Sequence, residues 1–177
     1  MKKLYKVLLS MTLIVSVFAL NISADSDKDL TILFTHDTHD NYEPYTMELD
    51  GKIVERGGFA RLATAIKDEK KKDSEALLID GGDYSQGTLF QSIYTTHAPA
   101  LHLMGMMGYD GTTYGNHEFD FRPEGLRDSL KSAIKTGDKV VDIVASNTNY
   151  DVEGQSEALK GLKEAAEEYP VQDYKIV

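Results

Sequence analysis

Cysteine and tryptophan are both absent from the 177 residues, and proline occurs only four times. Without a thiol there can be no disulfide scaffold and no thiolate zinc site. With so few prolines against 14 glycines, collagen-like and mucin-like chains are excluded as well. Positive charge is scarce: 19 Lys and Arg face 29 Asp and Glu, a net charge of −10. Nucleic-acid affinity comes mostly from Lys and Arg displacing counterions, so this balance argues against a nucleic-acid partner. A phosphate-bearing ligand would need a metal ion or local donors. What is present is ordinary, 41% hydrophobic and 27% charged, in a length that suits one domain.

The N-terminus carries the pattern of an export signal. Lys2, Lys3 and Lys6 precede the apolar stretch Val7 to Leu20, and Ile22-Ser23-Ala24 offers a small residue for cleavage. The 14-residue run is short of the roughly 20 residues that cross a bilayer, so residues 1–24 are expected to be a cleaved signal peptide rather than a stable membrane anchor. Its removal takes away three lysines and no acid, which moves the charge from −10 to −13. The expected mature chain, residues 25–177, is acidic and exported, whether to a periplasm, a cell wall or the medium.

Along that chain, strand and helix signals alternate. Leu30 to Thr35 is apolar on both faces, as a buried strand would be. Residues 40–57 read as a long loop with a short hairpin turning at Asp50-Gly51. Phe59, Leu62, Ala63 and Ile66 recur at helical spacing before Lys70-Lys71-Lys72, cations placed where a helix dipole favours them. Ala76 to Asp80 is a second buried strand, Pro99 to Met107 a helix, and Thr112 to Tyr114 a short strand. Pro123 opens a helix through Leu126, Leu130 and Ile134; Val140 to Ser146 is a fourth strand, and Ser156 caps a last acidic helix to Glu168. This order predicts an α/β layered fold with a substantially parallel sheet.

The chemistry-bearing residues follow the strands. Asp37 and His39 come after the first, Asp83 after the second, Asn116 and His117 after the third, and Asn147 after the fourth. In a parallel sheet all would gather at the carboxyl edge, where open α/β sheets bind ligands. Oxygen and imidazole donors without thiolate suit Zn²⁺, Mn²⁺, Fe²⁺ or Mg²⁺. Gly82 and Gly115 remove side chains just before Asp83 and Asn116, which allows close backbone approach. Asp-x-His or Gly-Asp alone would carry little; in this order, each directly after a strand, they are hard to obtain by chance.

Through residues 32–39, 57–64, 78–88 and 107–120, including Gly115-Asn116-His117-Glu118, the sequence resembles the calcineurin-like metallophosphoesterases and, within them, the secreted 5′-nucleotidase branch. The resemblance implies a layered β-sandwich flanked by helices that hydrolyses nucleotide phosphoesters with two divalent metal ions. It further implies that Asp37 and His39 hold one ion, Asp83 bridges, Asn116 holds the second, and His117 with Asp120 forms a catalytic dyad. The His117–Asp120 spacing agrees: residues three apart share a side if a helical turn begins there, and the carboxylate would raise the imidazole pKa.

Some parts of the family pattern are missing. His36 and Asp40 stand where Asn and Gly are commoner; Asp40 is expected in exposed loop, while His36 is open between loop and ligand support. His102, between Leu101 and Leu103, is expected to be structural. All five histidines lie at or before position 117, so the later Gly-His-x-His ligands of the family are absent. The expectation is an N-terminal portion of a catalytic domain, with Tyr174 to Val177 beginning another strand. Such a portion would be either one half of an enzyme needing a complementary C-terminal chain or a non-catalytic remnant.

Overall fold

The structure, a computed structural model, describes residues 29–169 and 171–177; the expected signal at 1–24 lies outside them. β1 (Ile32–Thr35) pairs in parallel with β4 (Leu77–Asp80), Ile32 opposite Leu77 and Thr35 opposite Asp80. From β4 the parallel arrangement continues as isolated bridges, Ile79 to Gly111, Thr112 to Ile143 and Val144 to Gln172. A separate antiparallel hairpin, β2 (Tyr45–Leu49) and β3 (Lys52–Arg56), turns at Asp50-Gly51 as the sequence predicts.

The helices obey their local signals. α1 (Phe59–Lys72) buries Phe59 and Ile66 and ends on its three lysines. α3 (Pro99–Met107) has the predicted bounds: proline opens it, and Gly108 closes it with a left-handed φ of 78°. α4 (Arg122–Lys135) carries Pro123 in its first turn and buries Leu126, Leu130 and Ala133. α5 (Glu157–Glu168) is capped by the Ser156 hydroxyl, which accepts from the Leu159 N–H. Between Thr88 and Ala98 lie a 3₁₀ turn (Leu89–Ile93) and the short helix α2 (Tyr94–His97), neither of which is among the predicted elements. Leu78, Leu101, Met104, Leu126, Leu130, Val141, Ile143 and Ala165 form the core where the sheet meets the helices.

Three expectations need correction. The first strand is buried on one side only: Ile32 and Phe34 are 50% and 58% exposed, because no layer covers that face among the described residues. The strand expected over 112–114 shrinks to a bridge at Thr112 and that over 140–146 to bridges at Ile143 and Val144, and Tyr174 to Val177 forms no strand. A strand needs a continuous partner, whereas each of these segments bonds its neighbours only locally.

Arg122, the first residue of α4, has a left-handed φ of 61°. That conformation costs a side-chain-bearing residue about 1–2 kcal/mol. After allowing for the unfolded-state freedom of glycine, Arg122→Gly is expected to raise stability by about 0.5–1 kcal/mol. A thermal melt checks this, and a lowered midpoint would contradict it.

Candidate metal centre

Asp80, buried at the end of β4, gathers the strand ends. Its carboxylate accepts from the hydroxyls of Thr35 (2.6 Å) and Thr112 (2.8 Å) and from the Gly82 N–H (2.9 Å). Beyond it the loops after β1 and β4 keep bonding main chain to main chain: Asp37 N–H to Gly82 O, His39 N–H to Asp83 O, and Asp40 N–H to Tyr84 O, each at 3.0–3.1 Å. The His117 N–H donates to Asp83 Oδ1 at 2.9 Å and so brings in the third loop.

This convergence places one ligand atom each of His39, Asp83 and His117 within 4.8 Å of one another. The two imidazole rings meet edge to face at 5.0 Å. His39 Nδ1 lies 2.7 Å from the Gln86 carbonyl and 3.1 Å from that of Ser85. A carbonyl only accepts, so Nδ1 carries the proton and Nε2 keeps its lone pair for a metal ion, the arrangement that usually orients a ligating histidine. Asp37, His39 and Asp83 have φ values of 51°, 47° and 52°, and Asp40 one of 55°. Left-handed backbone at residues other than glycine costs on the order of 1–3 kcal/mol each and clusters where side chains must be aimed. The donors are oxygen and imidazole, borderline to hard, and fit a divalent cation.

Asp37 is exposed beside the cluster, and its carboxylate lies 2.8 Å from His36 Nδ1, a contact that lowers its pKa. Asn116, also exposed, leads into the 3₁₀ turn His117–Phe119. That turn brings His117 Nδ1 to 2.9 Å from Asp120 Oδ2, the side-by-side placement expected from their spacing.

Residues 30–169 match the model of the calcineurin-like phosphoesterase family. The chain belongs to this family. It is 41% identical over 110 residues to a 5′-nucleotidase of Bos taurus, a match covering 60% of this chain and 19% of the relative. To a snake venom 5′-nucleotidase of Gloydius brevicauda it is 39% identical over 115 residues, covering 63% and 19%. Among solved structures, a 5′-nucleotidase precursor from Thermus thermophilus matches with a TM-score of 0.61 at 32% identity, over 84% of this chain and 26% of the other. The chain thus spans about a fifth of the length of these curated relatives.

Within this phosphoesterase fold, sequence reasoning missed the buried acids. Asp40, expected in exposed loop, is buried; its carboxylate accepts from the Tyr42 hydroxyl (2.6 Å) and the Gln86 N–H (2.9 Å), fastening the loop that carries His39 to the one that receives it. Burial pushes its carboxyl up. Glu118 is fully buried beneath Asp83 and likewise raised by burial. Asp40 and Glu118 each directly follow a metal-competent pair, Asp37/His39 and Asn116/His117, but charged residues are buried so seldom that composition argues for the surface. His102 is half-buried on α3, is not part of the cluster, and its buried Nδ1 has no hydrogen-bond partner among the described residues.

The Asp120 carboxylate holds the His117 imidazole above its ordinary value, with Asp83 and Glu118 adding in the same direction. A raised histidine pKa contributes stability that is fully present below the unfolded value of about 6.5 and is lost as pH rises through the folded one. Asp120→Asn is therefore expected to lower the His117 titration midpoint in the metal-free protein, followed by NMR, and to flatten the stability change above pH ~6.5. An unmoved midpoint would show that the contact has no electrostatic effect.

Proposed function

We propose that this chain supplies the N-terminal part of the catalytic site of an exported, metal-dependent phosphoester hydrolase of the 5′-nucleotidase type. The observation that carries the reading is the cluster of His39, Asp83 and His117 at the carboxyl edge of a parallel sheet, in a chain of the calcineurin-like phosphoesterase family. Asp37, His39 and Asp83 would hold one divalent cation, and Asp83 with Asn116 would contribute to holding a second. The cations, when bound, supply the positive charge that offsets charge developing on the phosphoryl oxygens. This answers the charge problem of an acidic chain acting on an anionic nucleotide.

The protein's own residues then have separate tasks. With Nδ1 tied to Asp120, His117 keeps Nε2 for proton exchange. It gives a proton to the leaving 5′-oxygen as the phosphorus–oxygen bond breaks; the incoming water supplies the new oxygen on phosphorus, the proton it releases restores the His117 imidazolium, and the products are nucleoside and phosphate. Asp120 fixes the ring and keeps it protonated to higher pH. Export is supported by the basic and apolar N-terminal pattern and by the snake venom relative. Among the described residues, no helix is long and apolar enough to cross a membrane.

Among the described residues a second cation would have only Asp83 and Asn116, too few for a closed site, and the apolar Ile32 and Phe34 face of β1 is exposed. Both support a complementary segment, carrying further histidines, that covers the sheet and completes the centre. The test is phosphate release from a panel of 5′-nucleotides with Mn²⁺ or Zn²⁺, with His117→Ala as control. Turnover by this chain, lost in the variant, establishes that its own ligands suffice; turnover only after adding the complementary segment establishes a divided site. No turnover in either case would overturn the enzymatic reading in favour of a non-catalytic remnant.

A further inference from the structure

Glu118 has a side chain with no exposed surface, and its carboxylate is surrounded entirely by donors. Oε2 accepts from the N–H groups of Gly115 (2.6 Å) and Asp83 (3.0 Å). Oε1 accepts from the N–H (3.1 Å) and hydroxyl (2.9 Å) of Ser85. An ionised carboxylate offers about four acceptor sites, and all are taken. Its main-chain carbonyl is fixed too, accepting from the buried Tyr94 hydroxyl at 3.0 Å. One buried side chain therefore joins the loop bearing Asp83 to the loop bearing Asn116 and His117.

We propose that Glu118 is a positioning residue for the centre, holding Asp83 in its left-handed conformation and at fixed separation from His117. The inference rests on the metal-centre reading above. Asp83 has a φ of 52°, from which an aspartate relaxes unless its neighbours prevent it. The two hydrogen bonds at Oε2 prevent it by tying Asp83 and Gly115 to one atom. The bond from the His117 N–H to Asp83 Oδ1 can form only with both loops so placed. With its acceptor sites taken by protein donors, Glu118 acts through these two neighbours rather than as a ligand.

The chemistry of the clamp predicts an unusual ranking of variants. In Glu118→Gln the amide NH₂ can turn to the Ser85 hydroxyl, which accepts as well as donates, leaving the amide oxygen on the Asp83 and Gly115 N–H groups. The Ser85 N–H then lacks an acceptor, so the protein is less stable while the centre keeps its shape. Glu118→Asp keeps the charge but is shorter by about 1.5 Å and cannot span both loops.

The experiment is Mn²⁺ titration of the full chain, read from the free-ion EPR signal, with each variant held below its own thermal midpoint. Glu118→Gln is expected to melt lower than wild type yet bind Mn²⁺ within about threefold of it. Glu118→Asp is expected to lose at least about tenfold in affinity. A residue that only stabilised the fold would give affinities that follow the melting order. Wild-type affinity in folded Glu118→Asp, or equal losses in both variants, would overturn the proposal. Should wild type and Asp83→Asn bind Mn²⁺ alike, the metal reading fails instead, and amide exchange decides on the clamp. Faster exchange at Asp83 and Gly115 in Glu118→Asp but not in Glu118→Gln supports it; equal exchange overturns it.

Discussion

Replacing Gly115 with alanine is expected to abolish metal binding at the centre. The added methyl would lie 2.5 Å from the Asp83 carboxyl carbon and equally close to its main-chain nitrogen. Neither can retreat: the nitrogen is bonded to Glu118, and the carboxylate to the His117 N–H. Relief requires the two loops to part, which re-aims Asp83 away from His39. Overpacking of this kind costs about 1–3 kcal/mol in stability, whereas the ligand set loses its central oxygen, so the expected loss in affinity is at least about 100-fold. Gly154→Ala supplies the comparison. Gly154 also resists substitution, because its φ is 72°, but nothing lies within 4 Å of an added methyl. It should lose about 1 kcal/mol and bind Mn²⁺ normally. Normal binding by folded Gly115→Ala would contradict the placement of Asp83.

Leu78→Ala is expected to have the largest effect on stability. Leu78 has no exposed surface and sits in β4, the strand between β1 and the 111–112 segment, with the core on one face. Its main chain is held by Asp110, whose carboxylate accepts from the Leu78 N–H at 2.8 Å and whose own N–H donates to the Leu78 carbonyl at 2.7 Å. The backbone therefore cannot close the cavity, and the loss should fall at about 2–5 kcal/mol. Against a typical total of about 5–15 kcal/mol this is a large fraction. Phe34→Ala, on the bare face of the neighbouring strand, removes more atoms and should cost less than about 1 kcal/mol. Urea unfolding of the two variants separates them; equal losses would show that the face carrying Phe34 is covered.

The elements that were legible in the sequence are those whose ends are chemically marked. Proline and Gly108 bound α3, three lysines close α1, Ser156 opens α5, and Asp50-Gly51 turns the hairpin. Each mark acts within a few residues and needs no distant partner. β1 was misjudged because an unbroken apolar run reads the same whether one face or two are covered, and only the tertiary neighbours decide. The strands at 112–114 and 140–146 were over-read for a related reason, since strand propensity reflects fit to a partner more than backbone preference. At the site, His39, Asp83 and His117, which the structure brings together, could be singled out because the motif places them at strand ends. Asp40, Asp80 and Glu118 could not, because nothing local distinguishes an acid that fastens loops from one that faces water.

The most direct measurement is the Mn²⁺ affinity and stoichiometry of the wild-type chain beside Asp83→Asn. The account predicts at least one ion bound per chain, with affinity falling at least about 100-fold when the central carboxylate is neutralised. A wild-type chain that binds no Mn²⁺, or an Asp83→Asn variant that binds as tightly as wild type, would contradict it.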